Sequence, residues 1–75
     1  MNVYEAYLKD FCQLVLEEAL RARESARTAQ PGGFESGRAR AYYEVVSLLQ
    51  QQAVAFQIPP EKLSLAGVEP ERDLI

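Results

Sequence analysis

Apolar residues in the second half of the chain recur every three or four positions, which is the spacing of one side of an α-helix. Gly32 and Gly33 precede this pattern, and Pro59 and Pro60 follow it. Because glycine and proline both interrupt helices, the pattern predicts a helix over about residues 35–57. Its apolar side chains fall on two sides of that helix, which is more than one partner helix can cover. They are Val45, Val46, Leu48, Leu49, Val54 and Phe56.

A first helix is predicted over about residues 3–28, where no glycine or proline occurs. Asn2 suits its N-cap, and Glu5 stands three residues later, as in a capping box. The main apolar stripe of this helix is bulky in its first half and almost entirely alanine in its second. Alanines at this spacing favour helix formation and also allow another helix to approach closely. The stripe consists of Tyr4, Leu8, Phe11, Val15, Ala19, Ala22, Ala26 and Ala29.

The two predicted helices are joined by a short turn over about residues 29–34. A short connection between long helices makes them antiparallel neighbours. Folding the chain about Gly32 places Ala19 near Val46, so a small side chain meets a larger one. The sequence therefore predicts an all-α fold that is an antiparallel two-helix hairpin.

The C-terminal part of the chain is predicted to form a short extension of the hairpin. A helical turn is expected over about residues 60–66, because Pro60 suits a first helical position and Gly67 can end the turn. Residues 1–68 are thus assigned to one helical hairpin domain. Residues 69–75 are charged except for Pro70, Leu74 and Ile75, and they are predicted to be a mobile tail.

The size of the chain favours self-association. Seventy-five residues is close to the lower limit for a self-sufficient hydrophobic core, and many domains this small rely on disulfides, a zinc ion or oligomerisation. One cysteine and no histidine make a disulfide framework impossible and a structural zinc site unsuitable. The hairpin is therefore predicted to form a homodimeric four-helix bundle. The candidate core and dimer residues are Phe11, Val15, Tyr42, Val45, Leu48, Leu49 and Phe56.

Residue types that carry enzymatic chemistry are scarce. The chain has no histidine for general base catalysis and no glycine-rich phosphate loop between a strand and a helix. Cys12 stands among apolar residues and is interpreted as a small buried hydrophobe rather than as a nucleophile. We therefore expect no catalytic residue, no metal ligand and no cofactor.

The sequence also bears on the compartment. The residues after Met1 lack the basic start and apolar run of a signal peptide. No apolar run approaches the length of a membrane span, and the lone thiol is compatible with a reducing environment. The expected location is the cytoplasm, without membrane association.

Five of the eight basic residues flank the predicted turn. Most have a carboxylate three or four positions away, so local ion pairing is the first interpretation. The other two interpretations are a contact with an acidic protein surface and binding of nucleic acid, which the net charge of −3 disfavours. These residues are Arg21, Arg23, Arg27, Arg38 and Arg40.

Most of the acidic residues lie far from the turn in sequence. They predict an acidic opposite end of the hairpin, formed by Glu5, Asp10, Glu61, Glu69, Glu71 and Asp73. Such a polarised hairpin favours antiparallel pairing with a second copy.

The function predicted from the sequence is a small, non-enzymatic protein-interaction or adaptor domain that acts as a homodimer. The alternative is a nucleic-acid-binding regulator that uses the arginine-rich turn end of the hairpin.

Overall fold

The computed structural model describes residues 2–75, and all of its regular secondary structure is helical. Helix α1 spans Val3–Thr28 and helix α2 spans Phe34–Ala55. A 3₁₀ turn follows at Pro60–Leu63, and a single helical turn, α3, at Pro70–Asp73. The two long helices pack against each other, which confirms the predicted all-α hairpin. The molecule measures 43 × 20 × 16 Å, so it is a slab about two helices wide.

The N-terminus of α1 is capped as its sequence predicts. The Asn2 side-chain oxygen accepts a hydrogen bond from the Glu5 backbone N–H at 2.9 Å. The Asn2 side-chain amide donates in return to the Glu5 carboxylate at 3.1 Å. The cap therefore satisfies one of the backbone donors that every helix start leaves without a partner.

The turn between the helices depends on glycine. Gly32 has φ of +81°, a backbone conformation in which a side chain would be strained. Its N–H donates to the Ser36 side-chain oxygen at 3.3 Å, and the Gly33 N–H donates to the Gln30 carbonyl oxygen at 3.3 Å. These bonds hold the reversal of the chain that makes α1 and α2 antiparallel.

Small residues line the seam between the two helices. On the α2 side, Ala39, Val46 and Ala53 are buried at seven-residue intervals. Ala19 of α1 belongs to the same buried cluster as Val46, as the folding of the chain about Gly32 predicts. Further along the seam, Cys12 packs with Ala53. Because these side chains are short, the backbones of α1 and α2 can lie close together. Most of the bulky apolar side chains of both helices therefore lie outside the seam.

Helix α2 ends two residues before its predicted end at 57. Gln57 adopts φ of +57°, which reverses the chain, and the Ile58 N–H donates to the Ala53 carbonyl oxygen at 2.8 Å. The prolines that follow lead into the 3₁₀ turn. This turn places Leu63 and Leu65 over the seam, in the buried cluster that contains Cys12 and Ala53.

The segment after residue 68 is docked on the hairpin, which differs from the mobile tail expected from its charge. Pro70 begins α3, and Leu74 is buried in the cluster formed by Ala19 and Val46. Charged side chains in the segment pair with one another: the Arg72 guanidinium contacts Glu69 and Asp73. A single leucine that packs against Ala19 and Val46 is therefore the anchor of a mostly charged segment.

Acid is expected to loosen this docked segment. Hydrogen bonds from the Arg72 side chain and then from the Glu69 backbone N–H lower the pKa of Asp73 from its ordinary 3.8 to about 2. A carboxylate whose pKa falls on folding stabilises the fold above its unfolded pKa, and that contribution disappears as pH falls from about 4 toward 2. We expect the amide signals of Glu69 and Asp73 in NMR spectra to shift over this interval.

Asp73→Asn is the matched control for the acid effect, because it keeps the shape of the side chain and removes its titration. In this variant the part of the shift at the two amides that comes from Asp73 should be lost, whereas identical titrations of the two proteins would contradict the assignment to Asp73.

Candidate interaction surface

The C-terminal segment covers one side of the hairpin. Tyr43 donates a hydrogen bond from its hydroxyl to the Glu71 carboxylate at 3.2 Å. Seven residues further along α2, the Gln50 side-chain amide donates to the Val68 carbonyl oxygen at 2.8 Å. Residues seven positions apart lie on nearly the same side of a helix, so these two contacts define one side of α2. We call it the tail side.

The opposite side of the hairpin is marked by an ion pair that bridges the helices. Arg38 of α2 contacts the Glu18 carboxylate of α1 at 3.0 Å. Tyr4 and Phe11 precede Glu18 at seven-residue intervals, and Val45 follows Arg38 at the same interval, so all of them share this side. We call it the open face. It comprises Tyr4, Tyr7, Phe11, Leu14, Glu18 and Arg21 of α1 with Arg38, Tyr42, Val45, Leu49, Gln52 and Phe56 of α2, and Leu48 lies at its edge.

The open face is apolar over most of its length. Phe11 is 47% exposed, Leu14 52% and Leu48 58%. At the end remote from the turn, the face is aromatic: Tyr7 stacks on Phe11 with ring centroids 6.1 Å apart, and Tyr4 is 78% exposed. Large apolar side chains scattered singly are normal on a surface, but a contiguous group of them is typical of an interface.

The end of the open face near the turn is charged. The Glu18 carboxylate accepts from two guanidinium groups at once, that of Arg21 at 2.8 Å and that of Arg38 at 3.0 Å. The Arg38 guanidinium also lies over the Tyr42 ring, 5.3 Å from its centroid. Two positive groups thus share one negative group, and this cluster carries a net charge of about +1.

The seven residues predicted for the core and dimer divide into two groups in the hairpin. Val15, Tyr42 and Leu49 are half-buried, where they pack against the buried clusters of the seam. The others are exposed on or beside the open face: Phe11, Val45, Leu48 and Phe56. The hairpin by itself therefore leaves uncovered the residues that would form the second core of a bundle.

Sequence reasoning missed several residues of this surface. Tyr4, Tyr7 and Leu14 are on the open face, whereas the prediction named only Phe11 and Val15 from α1. The signal that could have found them is the seven-residue spacing in α1. This spacing places Tyr4 and Phe11 on one side of the helix and the buried Cys12 and Ala19 on another.

The five arginines around the turn are mostly paired locally. Arg27 contacts Glu24 at 3.2 Å, and Arg40 contacts Glu44 at 3.8 Å. Arg23 donates to the Ile75 carbonyl oxygen at 3.4 Å. The other two, Arg21 and Arg38, share Glu18. The arginines also divide between surfaces, because Arg23, Arg27 and Arg40 line a groove of about 470 Å³ beside Leu74 and Ile75, outside the open face.

The predicted acidic end of the hairpin is wrong for three of its six residues. Glu69, Glu71 and Asp73 belong to the docked C-terminal segment, which runs back toward the turn. Glu71 reaches Tyr43 in the middle of α2, and Asp73 is close enough to Arg23 for that charge to contribute to its lowered pKa. The segment therefore carries negative charge to the arginines, and the hairpin is much less polarised than its sequence suggests.

Two other features offer little chemistry. The Cys12 thiol is buried, and burial raises its pKa, so it is poorly ionised at neutral pH. A groove of about 600 Å³ between α1 and the 3₁₀ turn has apolar walls that include Leu8, Ile58 and Leu63. Within residues 2–75, no three side chains of the His, Cys, Asp or Glu type come together as a candidate metal site.

Comparisons of the chain with protein-family models, with curated proteins and with solved structures found no match. No helix among residues 2–75 combines the length and the apolar character needed to cross a lipid bilayer.

Proposed function

We propose that the chain is a non-enzymatic protein-interaction domain that acts as a homodimer, in which two open faces pack together to form a four-helix bundle. The observation that carries the proposal is the open face itself. It presents Phe11, Leu14 and Val45 to solvent, while the opposite side of the same hairpin is covered by the docked C-terminal segment. Burying apolar side chains of this size is the main driving force of protein association.

The surface area of the hairpin supports a second copy as the occupant. A compact monomer of 8.4 kDa is expected to expose about 4,600 Å². The hairpin exposes 5346 Å². The excess of roughly 700 Å² is close to the area that each partner contributes to a stable protein–protein interface. Its radius of gyration of 13.1 Å likewise exceeds the roughly 11 Å of a compact domain of this length.

As a homodimer, the protein would keep other surfaces free for a further protein. The groove beside the 3₁₀ turn and the tail side both lie outside the open face. The proposed adaptor role depends on these two surfaces, because the open face is used for self-association.

The alternative of nucleic-acid binding has less support. Phosphate binding depends on positive charge that is free of carboxylate partners. Arg27 and Arg40 each contact a glutamate, Arg21 and Arg38 share Glu18, and the docked acidic segment lies beside Arg23.

Phe11→Glu is expected to convert the dimer to a folded monomer. Phe11 is central to the open face and is exposed in the single hairpin, so a glutamate there meets water in the monomer but a desolvated apolar surface in the dimer. Sedimentation equilibrium at micromolar concentration should give twice the chain mass for the parent and the single-chain mass for the variant. Circular dichroism should show that the variant is still helical.

Val54→Glu is the matched control, because Val54 is 78% exposed and lies outside the open face. It should remain dimeric and melt like the parent, with a melting temperature that rises with concentration. A parent that sediments as a monomer over the micromolar range would refute the proposed homodimer.

A further inference from the structure

We infer that the two hairpins dock antiparallel, with a two-fold axis that crosses the open face between Phe11 and Leu14. The charged cluster of each copy then lies on the aromatic end of the other. This inference rests on the proposed function, since it specifies how the second copy occupies the open face. Its basis is the asymmetry of that face: Tyr4 and Tyr7 at one end, and the cluster of Glu18, Arg21 and Arg38 at the other.

A two-fold dimer requires the face to be complementary to itself. Two orientations satisfy this requirement. In the parallel one, the turns of both hairpins lie at the same end of the bundle. In the antiparallel one, they lie at opposite ends. The two orientations differ in what each copy places against the charged cluster.

The parallel orientation brings the two charged clusters together. In each cluster, the single Glu18 carboxylate is already shared between Arg21 and Arg38, so it has little capacity to neutralise further cations. Four guanidinium groups and two carboxylates would then be removed from water together. Positive charges that are desolvated next to each other oppose association.

The antiparallel orientation gives the guanidinium groups aromatic partners instead. With the axis between Phe11 and Leu14, Tyr4 faces Arg21 of the partner subunit, because Tyr4 and Arg21 lie at equal distances on either side of that axis along α1. Arginine binds favourably over the face of a tyrosine ring. The hairpin already contains this type of contact, since the Arg38 guanidinium lies 5.3 Å from the centroid of the Tyr42 ring.

The middle of the face fits the same axis. Phe11 faces Leu14 of the partner subunit. Because Cys12 packs with Ala53, the axis crosses α2 next to Ala53, and Leu49 faces Phe56 of the partner subunit. These four large apolar side chains are therefore covered when the ends are exchanged. This matters because a two-fold axis placed at one end of the face would leave half of them in water.

The distance between the two turns tests the orientation without altering the interface. A spin label is placed on Gln30→Cys, which is exposed in the turn, in a Cys12→Ala background that removes the only native thiol. The antiparallel dimer should give a distance of about 50 Å between labels, from the rise of 1.5 Å per residue on either side of the axis. A distance near 20 Å would overturn the antiparallel orientation and leave the homodimer standing.

Disulfide formation tests the register of the antiparallel dimer. In the same Cys12→Ala background, Tyr4→Cys combined with Arg21→Cys should give a covalent dimer on mild oxidation, and each single variant should give none. The two sites are about 25 Å apart along one α1, so they cannot form a disulfide within a chain. If the spin labels give the long distance but the crosslink does not form, the proposed position of the axis is wrong. If the labelled protein has the mass of a monomer, both the proposed function and this inference are wrong.

Discussion

Val46→Asp is expected to unfold the protein. Val46 has no exposed surface and packs between Ala19 of α1 and Leu74 of the C-terminal segment, in a cluster of aliphatic and tyrosine side chains. A carboxylate placed there has neither water nor a cation as a partner, which costs several kcal/mol. A domain of this size rarely has more than ~3–5 kcal/mol of stability from its core. Circular dichroism at room temperature should therefore show loss of most of the helical signal.

Val54→Asp is the control for this experiment. It makes the same chemical change in the same helix at a position that faces solvent. It should retain the helical signal and a cooperative melting transition. If Val46→Asp melted within a few degrees of this control, Val46 would not lie in the seam between the helices.

The contrast between Val45 and Val46 shows what the sequence alone could predict about the packing of α2. Both valines belong to the same apolar pattern, and the pattern predicts the helix without saying which of them faces the neighbouring helix. In the structure, Val46 is buried against α1 and Val45 is exposed on the open face. The deciding information is the register with α1, where Ala19 provides the space for Val46. That register is a long-range property: folding the chain about Gly32 brings this part of α2 near Ala19, but it does not distinguish Val46 from the neighbouring Val45, which the sequence pattern predicted to be a core residue.

The course of the C-terminal segment was less accessible to sequence reasoning. Its composition is that of a mobile tail, because Glu69, Glu71 and Asp73 are all charged. The burial of Leu74 reverses this expectation, and nothing in the local pattern around Leu74 specifies the space between Ala19 and Val46 that it fills. The predicted charge distribution failed for the same reason, because it assumed that residues distant in sequence from the turn are distant from it in space.

The candidate surface was predictable in part. Wide apolar faces on two helices indicate that a single hairpin leaves apolar residues uncovered, and Phe11, Val45 and Leu48 are exposed as that argument requires. The asymmetry of the open face was not predictable. It depends on Glu18 pairing with Arg38 across the helices, and local spacing gave Arg38 a different partner, Glu35.

Leu74→Ala is expected to release the C-terminal segment and destabilise the whole fold. Leu74 is 1% exposed and is one of the largest fully buried side chains among residues 2–75. Removing a buried leucine costs ~2–5 kcal/mol, and in a domain of this size that lowers the melting temperature by at least about 8 °C. The loss should appear first as rapid hydrogen exchange at the amides of Arg72 and Leu74, which donate to Glu69 and Pro70 in the docked state.

Ile75→Ala is the control for Leu74→Ala, because it shortens the neighbouring side chain at a position that is 55% exposed. It should leave the amide protection of Arg72 and Leu74 unchanged and lower the melting temperature only slightly. If those amides already exchange freely in the parent protein, the segment is mobile as its composition predicts. In that case Leu74 contributes no stability, and the cluster around Val46 must be sufficient to hold α1 against α2.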